Sequence, residues 1–584
     1  MPDASSATGG AGLNRSVTWQ PGHRSLTVTA LHEAAFRATT VRSCEKFCSC
    51  NNKVLFILEY LLHTRGMDAP CQPALIEIPE QPPRKQAAQH GPLKLRPVNR
   101  EQTMLASIYV EELIPADHKA RAIWDLVGRM DLSGFTEALR TTAGCAGRPA
   151  WDPRLLVSLW VYAYSQGISS AREIERLMEW ERGMQWLGGL QTVNYHSLSD
   201  FRIEHRAALD EMFAELLALL AQEGLVDLQQ VMHDGTKIRA LAGADTFRRE
   251  KTIRERLAEA RQAVAQFGDP RAETPAKNGQ QAAQERAAGE RKQRLEAALE
   301  ELQALQAEKK KEEDKAAVRV SVTEPEARIM KHGDGAMAAS YNAQITTESS
   351  HKIIVGAHLS QCSSDAQSLQ PALQEVEENL GEKPAQVVVD GGFTNRNNIV
   401  ECAAQNIDLV GSLANPVERS EAAMKAQGID PAFAPHQFHI LEAGQQVQCP
   451  AGCILPYVRQ SRKRGDLYQQ YKASSADCLA CRYKAQCCPK TLEKGRTVSI
   501  RVEEQAEVAA FRQKMALPES RAIYRRRGEV AEFPNAWIKD KLGVRKFRVR
   551  GLIKAGSELL WACLTYNIQQ WVRLVWRRPP VPVS

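Results

Sequence analysis

The feature that most constrains this chain is a pair of apolar stretches, each running into an aspartate followed by glycine. The first is Leu228 to Ala240, LQQVMHDGTKIRA, where Val231 and Met232 lead into His233, Asp234 and Gly235. The second is Gln386 to Thr394, QVVVDGGFT, where three valines lead into Asp390, Gly391 and Gly392. A β-branched run of this kind reads as a strand buried on both faces. Asp-Gly is also a common turn dipeptide, so one copy alone predicts only a turn. The recurrence predicts more. Carboxylates are rarely buried without a partner or a metal, and glycine lets the backbone approach a ligand closely. If the two strands are neighbours, both carboxylates leave one edge of a sheet, and their repulsion favours a divalent cation between them. Hard oxygen donors suit Mg2+ or Mn2+.

A third carboxylate completes a two-metal set. Arg521 to Arg550 carries ten Lys/Arg against three Asp/Glu. Within it Tyr524, Arg527, Glu532 and Lys539 stand in the order Y-x2-R-x4-E-x6-K. Glu532 and Lys539 are seven apart and share a face if the segment is helical. Glu529 is the rival acid, and Pro534 is tolerated only in a first turn or at a kink. Taken alone, the segment reads equally well as a basic surface helix.

Together these residues resemble the DDE insertion-sequence transposases, in the cut-and-paste branch with a Y-R-E-K signature on its glutamate helix. The resemblance runs from about Arg96 to about Trp576. HDGTKIRA matches the first aspartate motif, VVVDGGFTNR the second and YRRRGEVAEFPNAWIK the glutamate motif. The branch commonly reads E-P-x-F-G after the arginine, whereas this chain has Glu532-Phe533-Pro534-Asn535-Ala536. Its relatives also set the arginine and glutamate one residue closer. The resemblance implies a multidomain α/β chain: a helical N-terminal DNA-binding domain and an RNase H-like mixed-sheet catalytic domain. It implies two Mg2+ (or Mn2+) ions on Asp234, Asp390 and Glu532, with Tyr524, Arg527 and Lys539 against DNA. The activity implied is cleavage at the ends of a bacterial insertion sequence and strand transfer into target DNA. The partner implied is double-stranded DNA, bound by a homodimer in the cytoplasm, at the nucleoid. An RNase H-like nuclease that cuts without joining is one rival reading, and an inactive or domesticated DNA-binding protein is another.

The chain has 584 residues, enough for several domains. Its net charge of +7 is compatible with nucleic acid without being diagnostic. No apolar run reaches the roughly 18 residues of a membrane span. Fourteen cysteines without a secretory leader favour a reducing compartment. Residues 1–95 read as a disordered leader, with Cys44, Cys48 and Cys50 at spacings that fit no common zinc finger. Residues 79–97 resemble a linker, and translation is expected to start at or near Met67, leaving 1–66 outside the native protein.

Residues 96–227 read as the helical domain, with Arg172, Arg176, Arg202 and Arg206 as expected phosphate contacts. The catalytic core begins at 228–415. It carries a helical hairpin at 248–317, predicted from Ile253, Leu257, Ala260, Val264 and Phe267 and from Leu295, Leu299, Leu302 and Leu305. Two strands are expected over Tyr341–Ile345 and Lys352–Leu359, a helix over Ala366–Leu380 and a last strand over Leu409–Leu413. Asp365 and His351 read as structural. Residues 416–500 form a Cys-rich insertion. Cys449, Cys478, Cys481 and Cys487 are the expected ligands of one structural Zn2+, with a cluster of free thiols as the alternative. Arg459, Arg462, Lys463 and Arg464 are expected at the DNA backbone. Residues 501–576 hold the glutamate helix and an amphipathic C-terminal helix, on which Glu558 is a weaker carboxylate candidate, and 577–584 form a tail.

Overall fold

The main sheet is built outward from β1 (Gln230–Arg239), which pairs an antiparallel strand on one side and a parallel strand on the other. The computed structural model describes residues 100–577, apart from 102, 104–106, 138–148, 268–278, 442–443 and 491–492. The expectations for the leader, for Met67 and for the tail beyond Arg577 lie outside the described residues. All that follows concerns the unit beginning at Met104.

Beside β1 lie β2 (Arg328–Lys331), β3 (Met337–Glu348), β4 (Ile354–Ser360), β5 (Gln386–Val388) and β6 (Asp408–Val410). The order is β2-β3-β1-β5-β6, with β4 also pairing β3. β3 runs antiparallel to β1, while β5 and β6 run parallel to it, so the sheet is mixed. The parallel strands are short and carry Val387, Val388, Leu409 and Val410, all buried, as expected of strands covered on both faces.

Among the described residues, six helices precede the sheet: α1 (Lys119–Val127), α2 (Pro153–Ser165), α3 (Ala171–Met178), α4 (Arg182–Leu187), α5 (Tyr195–Glu204) and α6 (Arg206–Gln222). Local chemistry sets their starts. Asp152 caps α2 by accepting from Arg154 N, with Pro153 in the first turn. Asn194 caps α5 through Ser197 N. These helices share one apolar core with the sheet and with α11 (Leu552–Trp571), which is almost wholly buried. Trp160 donates to Leu198 O at 3.0 Å and Trp561 to Arg202 O at 3.2 Å, tying α2, α5 and α11 together.

The segment after β1 is a helical hairpin of α7 (Glu250–Phe267) and α8 (Gly279–Ala307). Its seam is buried only near the base, at Ile253, Leu257 and Ala260 against Leu295, Ala298 and Leu302. Phe267, expected in the seam, is exposed. Residues 439–503 form a second, antiparallel sheet: β7 (His439–Leu441), β8 (Gln446–Gln448), β9 (Ile454–Lys463), β10 (Asp466–Lys472) and β11 (Thr497–Glu503), paired in chain order. The buried Asp466 carboxylate joins it to the main body through the Arg396 guanidinium. Among the described residues, no helix is long and apolar enough to cross a membrane.

Candidate active site

The parallel ladder between β1 and β5 pairs Val231 with Val387 and Met232 with Val388, and then stops. Two residues further on, at matching positions, stand Asp234 and Asp390. The expectation that Asp234 marks the end of its strand needs correction. β3 pairs β1 all the way to Arg239, so Asp234 lies mid-strand and Gly235 makes no turn. Only the β5 side ends there. The backbones part just where the two aspartates sit, which leaves both carboxylates at the gap.

Asp390 is held by the turn that follows it. Its Oδ1 accepts from Gly392 N at 2.7 Å and Phe393 N at 3.3 Å. Gly392 is needed there: a Cβ would stand 3.0 Å from that oxygen and 3.7 Å from the Asp365 carboxylate. Asp234 is mostly buried. Its Oδ2 accepts from Asn535 Nδ2 at 3.1 Å, and its Oδ1 faces Arg527 Nη1 at 3.7 Å. Burial pushes its carboxyl up to about 6; the Arg527 charge opposes that rise, and the charges of Asp390 and Glu532 add to it. Asp234 therefore feels the charge of both other acids.

The glutamate segment is not one regular helix. Gly528–Glu532 forms a π turn, followed by α10 (Phe533–Asp540) with Pro534 in its first turn. A π turn closes on i→i+5 and holds one residue more than an α turn, and such turns recur at functional sites. The spacing expected from the resemblance is one residue shorter, and that residue has room in a π turn. Arg527 and Glu532, five apart, meet across it, with Nη2 3.6 Å from Oε1. The guanidinium thus bridges Asp234 and Glu532. Glu529 lies exposed on the same turn. Lys539, half-buried, donates to Thr236 Oγ1, two residues past Asp234 on β1. Burial holds its ammonium below the usual lysine range, and Arg545 adds to this. Tyr524 packs on Met232, Val388 and Val410, under the end of the ladder.

Among the described residues, no three His, Cys, Asp or Glu side chains are gathered to the ligating distances of one metal ion. The Arg527 guanidinium stands between two of the acids instead. The donor chemistry nevertheless fits a divalent cation: hard carboxylate oxygens, one with a raised pKa. Beside them are two buried polar atoms without hydrogen-bond partners, Asn535 Oδ1 and Arg527 Nη1.

Several residues at this site had no motif to announce them. Asn535 sits where the branch pattern departs. Asp365, expected to be structural, accepts from Asn342 Nδ2 at 2.7 Å and Gln344 Nε2 at 3.1 Å, behind the Asp390 turn. The available signal was the alternation of Asn342, Gln344 and Thr346 with the apolar Ala343 and Ile345; all five are buried. Thr346 and Gln344 also hold His233, at 2.9 and 3.0 Å. Burial pushes its pKa down to about 3, so the ring is neutral.

Of the four helical arginines, Arg202 needs correction. It is buried, donates to Ser169 O at 2.8 Å, lies over the Trp160 ring and stands 3.8 Å from Glu558. It cannot reach a phosphate. Glu558 is corrected with it: this buried carboxylate neutralises Arg202 inside the core and has no part in the site. Arg172 and Arg176 are exposed on α3, Arg176 paired with Glu173 at 2.5 Å, and Arg206 pairs with Asp210 at 2.8 Å. Arg459, Arg462, Lys463 and Arg464 occupy the exposed β9 strand and its hairpin turn. The Cys-rich insertion gathers Cys449, Cys453, Cys478, Cys481, Cys487 and Cys488 around one cavity, all as free thiols.

Residues 108–204 match the family described as "Transposase domain (DUF772)", and residues 448–572 match "Transposase DDE domain". The first covers α1 to α5, and the second runs from β8 into α11; Asp234 and Asp390 fall between them. No curated protein matches the chain. Among solved structures, a cryo-EM structure of piggyBac transposase in a synaptic complex with hairpin DNA is similar over 79% of this chain and 82% of that one, at 8% identity and a TM-score of 0.22. So loose a superposition carries no weight beside the two domain matches.

Proposed function

We propose that this chain, a DDE transposase by the two transposase domains it carries, cuts and joins DNA with Asp234, Asp390 and Glu532 as its metal-binding acids. The observation that carries this reading is the gap beyond Met232 and Val388. There the two aspartates share a register position, and Arg527 links Asp234 to Glu532. The mixed sheet, with β3 antiparallel to β1 on one side and β5 and β6 parallel to it on the other, supports an RNase H-like reading. When bound, two divalent cations supply an activated oxygen nucleophile and stabilise the leaving oxygen.

The chain's own groups do the rest. Asn535 orients the Asp234 carboxylate, and the Gly392 and Phe393 amides fix that of Asp390. Arg527 and Lys539 grip phosphate beside the scissile bond. Water attacks phosphorus and frees a 3′-hydroxyl; that hydroxyl then attacks a target phosphodiester and expels its 3′-oxygen. No protein nucleophile is required. Double-stranded DNA from the ends of a bacterial insertion sequence is the substrate, with Arg172 and Arg176 of α3 contacting its backbone. The chain works as a homodimer on the nucleoid. The test uses DNA from the borders of its own gene. Mg2+-dependent cleavage and joining are expected from the wild type and from neither Asp234→Asn nor Asp390→Asn, while DNA binding persists in both. Cutting without joining would reduce the reading to a nuclease. Undiminished cutting by either variant would overturn the site.

A further inference from the structure

The second sheet has a problem of size. Its apolar core consists of Phe438, Val447, Leu455, Tyr471, Ala473, Cys478 and Val498. A core this small seldom holds a sheet without a covalent or metal staple. At one end of it the six thiols surround a cavity of about 20 Å3, room for one water-sized occupant.

Two of the thiol pairs sit in tight turns. In Cys449-Pro450-Ala451-Gly452-Cys453, Gly452 has φ +92°, a left-handed conformation suited to glycine. The turn is closed by Gly452 N to Cys449 O at 2.8 Å, and Cys453 N points at Cys449 Sγ at 3.3 Å. In Cys478-Leu479-Ala480-Cys481, Cys481 N donates to Cys478 O, and Arg496 N points at Cys478 Sγ at 3.3 Å. Backbone N–H groups aimed at sulphur stabilise a thiolate. Cys449, Cys453, Cys478 and Cys481 all line that cavity. Cys487 lines it too, but ends the short helix Lys484–Cys487 beside Cys488 rather than closing a turn with a second cysteine. Two cations, Lys484 and Arg496, line the same cavity, and Arg496 Nε is buried there without a partner.

We propose that Cys449, Cys453, Cys478 and Cys481 form a structural zinc site that staples the second sheet. This corrects the expected ligand set, replacing Cys487 with Cys453. Two turn-borne pairs of soft sulphur donors are what tetrahedral zinc requires. The sulphurs are not at ligating distances here; a cysteine sulphur moves roughly 3 Å between staggered χ1 wells, and the proposal requires them to close on the ion by such moves. Binding releases four protons and leaves a complex of net charge −2, which Arg496 and Lys484 offset. The proposal is independent of DNA cleavage.

Cobalt(II) tests it. The full chain, stripped by chelator under reducing conditions, is expected to bind one Co2+ with the visible d–d bands and sulphur charge-transfer band of a tetrathiolate, and Zn2+ bleaches them. Cys487→Ser leaves this spectrum unchanged, and Cys453→Ser weakens it. A wild-type chain without the bands, whose six thiols react freely with a thiol reagent, overturns the site. Bands kept by Cys453→Ser and lost by Cys487→Ser overturn the ligand set. The wild-type spectrum decides the matter even where Cys453→Ser fails to fold.

Discussion

Asp234→Asn is expected to abolish cleavage and, without divalent cations, to make the folded chain more stable. The side chain is only 18% exposed. Burial and its acidic neighbours raise its pKa from 3.8 to about 6. Two pKa units correspond to about 3 kcal/mol of preference for the protonated form, with the Arg527 attraction already included; it is an upper bound because an amide only approximates the neutral acid. A net gain of about 1–3 kcal/mol remains. The sign follows from linkage. A carboxyl with a raised folded pKa binds its proton more tightly when folded, so its contribution is fully present below about pH 4 and is lost as pH rises through 6. The variant's advantage is therefore full at pH 8 and gone near pH 4. Urea unfolding of both proteins in chelator at the two pH values measures it. Added Mg2+ should stabilise the wild type and not the variant. A variant less stable than wild type at pH 8, or a difference unchanged between the two pH values, would refute the reasoning.

Glu532→Gln should remove cleavage and Glu529→Gln should spare it, because the π turn brings only Glu532 to Arg527; the opposite result in a cleavage assay means the turn has been read wrongly. The Mg2+ needed for half-maximal cleavage should rise about tenfold for each pH unit below about 6, as protons compete for Asp234; a requirement flat down to pH 5 contradicts this. Arg202→Ala should destabilise the fold by about 3–5 kcal/mol, since Glu558 is left buried and unpaired, and this should show in urea unfolding. Arg172→Ala and Arg176→Ala should instead keep stability and each lower the salt slope of DNA binding by about one; an unchanged slope would remove α3 from the DNA surface.

The valine run before Asp390 and the β-branched pattern before Asp234 made the parallel pair legible, since period and composition report burial directly. The extent of β1 was not legible. His233 to Arg239 is polar enough to read as a loop, and only the full-length pairing by β3 makes it a strand. The hairpin seam was readable at its base, while its outer half, at Val264 and Phe267, has no third surface to be buried against. Arg202 and Glu558 show the limit most plainly. They are 356 positions apart, each reads as an ordinary surface charge, and only the packing of α5 on α11 makes them a buried pair. The π turn was equally hidden, because an extra residue in a helix has no sequence signature of its own; it showed only as a spacing one residue too long. Asn535 and Asp365 reach the site through tertiary contacts that no local pattern encodes.

The proposed cation site draws on three distant segments. Iron(II) bound in place of Mg2+, with ascorbate and peroxide, cuts the backbone by hydroxyl radicals close to where it sits. In the wild-type chain scission is expected near Asp234, Asp390 and Glu532 together, suppressed by excess Mg2+ and absent in Asp390→Asn. Scission confined to one of these segments, or unchanged in that variant, would contradict the account.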